Sequence, residues 1–385
     1  MSGLADAVRD PGVRVLAVLG PGGVGKTTTS AALGLAAAQA GRRVVVLTID
    51  PARRLAQAMG LGSIGTEPQA VPLPDDAEDA GTLEVMMLDM RRTFDEVVRA
   101  RTDAETAARV LTNPMYESLS TSLAGTQEFM AMERLGQVVD DVGPGRRWDL
   151  VVVDTPPARS ALDFLDAPQR LGGFLDSRLF RLLAVPARVG TRVGSRVLGG
   201  RGEGGQSLAR RVLGSVLGGS LVDDVAGLLH ALDTVLTGFA ERAARTRALL
   251  ASDASALIVV TAPERGPAHE ARTLIEQMAT DGLEVGAVVA NRVVTAAERP
   301  GIQEARAAVA ASADEGRPHE GIAAAALDVQ IGRARDARRH AQVVRELRRD
   351  VRSRGIPVVA VPAAEVEVQR LEALSAIGQA LLRRA

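Results

Sequence analysis

The chain has 385 residues with Lys+Arg 46 against Asp+Glu 47, no cysteine and an aromatic share of 2%; it is long enough for two or three units of ~150 residues or for one large α/β domain with an insertion. Zero cysteines exclude disulfides, thiolate zinc sites, iron–sulfur clusters and cysteine nucleophiles, and the neutral charge balance gives no overall basic footprint for nucleic acid. No secretory signal is read at the N-terminus and no run approaches ~18 uncharged apolar residues, so the expectation is a cytoplasmic protein with no integral membrane segment, or one peripheral at the membrane.

The first predicted element is a strand, "VRVLAVL" (13–19), followed by "GPGGVGKTTTS". Lys26 is the only lysine of the chain, every other long cationic side chain being arginine. Gly20, Gly25, Lys26 and Thr27 satisfy G-x-x-x-x-G-K-[ST] directly after a strand and directly before a helical segment (26–40), the context a phosphate-binding P-loop requires. The loop Gly20, Gly22, Gly23, Val24 and Gly25 lets backbone N–H groups curl around phosphates, and the helix starting near Lys26 turns its positive end toward them. A compact ammonium on Lys26 suits the β and γ phosphates where a planar guanidinium does not fit, and the Thr27 hydroxyl suits Mg²⁺. ATP and Mg²⁺ are therefore the expected cofactors.

"RVVVLTI" (43–49) is the second strand and ends at Asp50; residues 62–82, with Pro68, Pro72, Pro74 and an acidic cluster, read as a solvated loop. Strands follow at 83–89, 148–154 ("WDLVVVD", ending at Asp154), 256–262, 285–291 and 357–361, with helical segments at 266–281 and 366–384. Continuous β-branched runs alternating with helices predict an α/β fold with a mostly parallel sheet flanked by helices, of the P-loop NTPase kind. The rhythm breaks at 91–147 and 157–252, where helical patterns replace strands. The expected organisation is thus a core of 1–90 and 251–385, which also owns strand 148–154, and a helical insertion subdomain of 91–147 and 157–250. Asp50 and Asp154 end strands at the same edge of the sheet, where ligands bind, and are candidate metal-site carboxylates, or else caps of the loops that follow.

These residues resemble a known family. "GPGGVGKTTTS", "LTIDPARRL", "VVVDTPPARSALDFL", "TAPERGPAHEARTLIEQMATDGLEVGAVVANRV" (261–293) and "PVVAVPAAEVEVQRLEAL" (357–374) are similar to the P-loop, switches and later motifs of the ArsA-like ATPases that power arsenite pumps or deliver tail-anchored membrane proteins. The resemblance implies a dimeric switch ATPase in which Asp50 positions the hydrolytic water, Asp154 senses Mg²⁺, Thr28 meets the α phosphate, and Asn291 reads the adenine edge beside the loop around Pro362. From the residues alone Asn291 is a turn residue. It further implies that the helical subdomain serves a hydrophobic or membrane-protein client. Two departures stand out. The family's pump members bind metalloid through cysteines and its eukaryotic targeting members hold zinc through C-x-x-C, neither of which a cysteine-free chain supplies. Pro21 stands where the family's P-loop usually carries an extra lysine that reaches the partner subunit's nucleotide, so the expected dimer is either of two copies or a heterodimer with a paralogue that keeps that lysine.

Eight arginines with interspersed glycines in 178–213, against the single acid Glu203, read either as a solvated loop or as a contact for acidic lipid or a client. The apolar stripes flanking them read either as core or as a client groove. The four histidines (230, 269, 319, 340) show no ligand spacing. The rival readings are a partition or positioning ATPase of the ParA or MinD kind, against which the long helical breaks speak, and a regulatory pseudo-ATPase, suggested by Pro21.

Overall fold

The computed structural model describes residues 3–49, 53–73, 80–101, 103–112, 126–156, 241–295, 320–364, 368 and 370–383. In chain order the elements are α1 (Leu4–Arg9), β1 (Val15–Leu19), α2 (Lys26–Gln39), β2 (Arg43–Thr48), α3 (Arg53–Ala58), β3 (Gln69–Val71), β4 (Thr82–Met87), α4 (Met90–Arg101), α5 (Ala104–Leu111), α6 (Thr126–Asp140), β5 (Leu150–Asp154), β6 (Ser255–Thr261), α7 (Arg265–Thr280), β7 (Val285–Val293), α8 (Glu320–Val351), β8 (Val358–Pro362) and α9 (Leu371–Leu382).

The strands form one sheet in the order β3-β4-β2-β5-β1-β6-β7-β8. Every pairing is parallel except that of β3 with β4. β1, β5 and β6 are buried at every position, as strands covered on both faces must be, and their Val, Leu and Ile content follows from that burial. The core is built from these strands and from Ala31, Leu33, Leu35 and Ala37 of α2, with Leu374 and Leu381 of α9 packed in the same cluster. With so few aromatics, close-packed Ala, Val and Leu carry the apolar burial.

Register places the chemistry. Val18 of β1 and Thr48 of β2 both pair with Asp154 of β5, so these strands end level with one another and open onto a common edge. At the opposite edge, buried Arg42 donates to the carbonyls of Val8, Val13 and Asp149 at 2.9, 2.6 and 2.9 Å. Arg43 forms a fork with Asp149, Nη2 to Oδ1 at 2.6 Å and Nε to Oδ2 at 3.1 Å. Hydrogen bonding from Arg43 holds the Asp149 carboxyl below its usual range, and burial draws the Arg42 guanidinium below its own.

The seven strands expected from the sequence are present within one or two residues at their ends. The loop expected over 62–82 is in part a strand: Gln69–Val71 pairs antiparallel with β4 along Val85, Glu84 and Leu83. Three residues are too few to show periodicity, and the pairing that makes them a strand is tertiary. By contacts the chain divides into two compact units, one drawn from Met1–Met87, Val138–Leu162 and Leu249–Ala385, the other from Leu88–Gln137 and Asp163–Ala248. The first holds the sheet. The second contains α4, α5 and most of α6, with buried Glu133 bonded to Arg242 at 3.2 Å and Arg134 to Glu96 at 3.3 Å. The Gly/Arg stretch 178–213, its apolar flanks, His230 and His319 lie outside the described residues.

Candidate functional site

The loop between β1 and α2 is shaped by its glycines. Gly20 (φ 146°) lies so close to β6 that a Cβ there would be 2.1 Å from the carbonyl oxygen of Val260, a contact that no side chain survives. Gly25 (φ 95°) precedes α2, and a Cβ on it would be 2.3 Å from Asn291 Nδ2. Positive φ at both, and at Gly23 (φ 74°), turns the chain back on itself in a way L side chains resist. The helix start has no side-chain cap and no acid in its first turn, which leaves its N–H groups and positive dipole end for an external anion.

Lys26 is buried and its Nζ donates to the Pro21 carbonyl at 3.0 Å, folding the cation back across the loop. Thr27 Oγ1 donates to Asp154 Oδ2 at 2.6 Å. Thr48 Oγ1 donates to the same oxygen at 3.2 Å, and Ser30 Oγ, bonded to the Lys26 carbonyl at 3.0 Å, lies 3.5 Å from Asp154 Oδ1. A carboxylate only 2% exposed thus gathers hydroxyls from α2 and β2. This set is made of hard oxygen ligands without thiolate or imidazole, the chemistry that suits Mg²⁺ held by one carboxylate, one hydroxyl and the phosphates of a nucleotide. Among the described residues no group of three or more His, Asp or Glu forms a self-sufficient cage.

The structure brings Gly20, Gly22, Gly23, Val24, Gly25, Lys26, Thr27 and Asp154 together. Thr28 follows them in the first turn of α2, partly exposed. Asp50 lies outside the described residues; the strand before it is tied to the site by Ile49 N–H, which donates to the Asp154 carbonyl at 3.3 Å. Asn291 is buried at the end of β7, where Nδ2 donates to the Val24 carbonyl at 2.9 Å and Oδ1 accepts the Arg292 N–H at 2.9 Å. Pro362 is exposed at the end of β8 and pairs with Val293. Three contributors escaped the sequence reading. Ser30 follows Thr27 by one helical turn and Thr48 precedes Asp50 by two residues, so spacing from known candidates is the signal that would have found them; Arg292, whose Nη1 donates to the Gly23 carbonyl at 3.1 Å, left no such signal. His340 accepts the Val294 N–H on Nδ1 at 3.0 Å, a structural bond.

Residues 13–190 match the family of anion-transporting ATPases described as ArsA ATPase. Among curated proteins the chain is similar to ATPase get3 of Aspergillus terreus, 25% identical over 296 residues that make up 76% of each chain. It is also similar to an uncharacterized protein of Streptomyces coelicolor, 28% identical over 73% of this chain and 63% of that one. ATPase ARSA2 of Chlamydomonas reinhardtii is 24% identical over 76% of this chain and 71% of the relative.

Proposed function

We propose, on the premise that the chain belongs to the ArsA-like family of P-loop ATPases, that it is a dimeric switch which binds and hydrolyses MgATP and transmits its nucleotide state to a helical client-binding or membrane-partner-binding subdomain. The observation that carries the reading is the meeting of Thr27 and Asp154 at 2.6 Å beside a glycine loop whose cation is the chain's only lysine. ATP with Mg²⁺ would supply a phosphoanhydride whose cleavage is exergonic. The loop N–H groups from Gly22 to Thr27 would hold phosphate, and Lys26, whose Nζ donates to the Pro21 carbonyl across the same loop, would neutralise charge on the terminal phosphates. Thr27 and Asp154 would hold Mg²⁺, with Asp50, two residues after Thr48 in the sequence, as a further candidate carboxylate. Asp50 orients the attacking water, Thr28 supports the α phosphate, and Asn291 with the loop at Pro362 flanks the adenine.

The output is mechanical. Asp154 bonds Thr27 of the loop while Ile49 bonds the Asp154 carbonyl, so a shift at the phosphates reaches the ends of β2 and β5 together. Both strands run into the segments that resemble switches. Among the described residues no helix is long and apolar enough to cross a membrane, so delivery of a hydrophobic or membrane-protein client, as the family resemblance implies, would be performed by a helical surface and not by an anchor built from them. Lys26→Ala is expected to abolish tight MgATP binding, a loss of at least a hundredfold in a charge-assisted site, roughly 3 kcal/mol. Calorimetry with the variant checks this alongside its circular dichroism, and near-normal affinity in a folded variant would overturn the proposal.

A further inference from the structure

We infer that Asn291 and Arg292 form a clasp on the outside of the phosphate loop, and that Arg292 is the positioning residue that aims the loop's N–H groups at a bound phosphate; the last step rests on the nucleotide reading above. Two donors from β7 reach two successive carbonyls, Arg292 Nη1 to Gly23 at 3.1 Å and Asn291 Nδ2 to Val24 at 2.9 Å. No cis peptide occurs among the described residues, and in a planar trans peptide the C=O and the N–H that share it point in opposite directions. Holding the Gly23 and Val24 carbonyls toward the clasp therefore holds the Val24 and Gly25 N–H groups away from it. A glycine-rich loop has much conformational freedom to lose, and fixing two adjacent peptide planes removes most of it before any ligand arrives. Arg292 brings a full charge to the carbonyl side of its peptide. Hydrogen bonds through one peptide unit reinforce one another, which makes the opposite N–H a better donor.

The backbone at Arg292 gives an independent argument. Arg292 has φ 59°, and among the described residues it is the one non-glycine with positive φ. The pairing of β7 with β8 shifts register between Ala290 and Val293, so Asn291 and Arg292 occupy an irregularity of the kind that re-aims side chains beside functional sites. It is anchored on its far side by the bond from Val294 to His340. A bulge of this shape is served at less cost by glycine or asparagine. An arginine held there is accounted for by the bond that its side chain makes to the loop.

The test uses Arg292→Gly, which removes the side chain and relieves the positive φ, and Arg292→Lys, which keeps one charged donor for the single acceptor. Arg292→Gly is expected to melt no lower than the parent protein without nucleotide, yet to show faster amide exchange at Val24 and Gly25. Its affinity for both MgADP and MgATP should fall about tenfold, the scale of one charge-assisted hydrogen bond. Arg292→Lys should stay within about threefold of the parent, because no bidentate fork is needed. Parental affinity and parental loop exchange in Arg292→Gly would overturn the clasp. Equal losses in both variants would overturn it too, by showing that the guanidinium plane meets the nucleotide directly. Should the parent protein bind neither nucleotide, the functional reading fails, and faster loop exchange in nucleotide-free Arg292→Gly still decides whether the clasp orders the loop.

Discussion

Asp154 shows how much one side chain inherits from its surroundings. A carboxylate at the end of a buried strand needs hydrogen bonds to offset its desolvation, and here they come from Thr27, Thr48 and Ser30. Replacing it by asparagine keeps the shape while removing the charge that a divalent cation needs. Asp154→Asn is expected to weaken MgATP binding by at least about tenfold, the scale of losing one charge-assisted contact to the cation, with metal-free nucleotide affinity nearly unchanged; titrations with and without Mg²⁺ separate the two. Asp50→Asn should do the reverse, keeping MgATP affinity within about tenfold while cutting hydrolysis strongly, because a residue that orients water acts on the transition state. Collapse of binding would make Asp50 a metal or structural residue. The difference in legibility has the same origin. Gly20, Gly25, Lys26 and Thr27 were readable because the phosphate loop is local, with every contributor inside eight residues of sequence. Thr48 and Ser30 were not, since hydroxyls are common and only the register of β2 against β5 gives these two a purpose.

At the scale of elements, the strands were legible because parallel strands covered on both faces carry continuous apolar runs, as β1 does throughout, β2 does over Val44–Leu47 and β5 over Leu150–Val153. Short α1 and the three-residue β3 were not, because tertiary contacts define them. Nor was the role of Arg42, since an arginine before a strand ordinarily belongs to solvent. In the structure it satisfies three carbonyls from α1, from the approach to β1 and from the approach to β5. Arg42→Leu removes all three donors and leaves buried carbonyls unmatched, so a loss of at least about 2 kcal/mol is expected in chemical denaturation. Beside it, Asp149 ties the start of β5 to Arg43. Its carboxyl titrates below the ordinary range, so its contribution to stability is complete above the unfolded-state pKa, about 3.9, and is lost as pH falls through the lower folded value. Asp149→Asn should therefore melt earlier than the parent at neutral pH, and the two melting curves should converge in acid below that range. A difference independent of pH would place the effect in packing.

For the whole molecule the decisive residue is Pro21. Its carbonyl accepts a hydrogen bond from Lys26, but its ring offers neither charge nor an N–H. By the family resemblance the lysine expected at this position reaches across a dimer to the partner subunit's phosphates, the work that an arginine finger does in trans for roughly 10³–10⁵ in rate. Two copies of this chain facing each other would lack it at both sites. Arg292 does not make good the loss, because its bond goes to the carbonyl of Gly23, on the side of the loop opposite the N–H groups proposed to meet phosphate. Purified alone, the protein should then bind MgATP through Lys26, Thr27 and Asp154 and turn it over slowly. Pairing with a paralogue whose loop carries lysine at the position of Pro21 would complete one site of the two, the one built on this chain's Lys26. The measurement is steady-state hydrolysis by the protein alone and with each co-expressed paralogue, with mass in solution followed by light scattering. Acceleration accompanied by a heterodimer mass is the expected result. Fast hydrolysis by a homodimer, indifferent to every paralogue, would transfer the role to an arginine of the switch-like segments, with Arg53 and Arg159 the first to replace. Substitution of Pro21 by lysine then separates the outcomes within a single chain: it should raise the rate of the homodimer if the missing cation is the cause, and leave it unchanged if an arginine already supplies the charge.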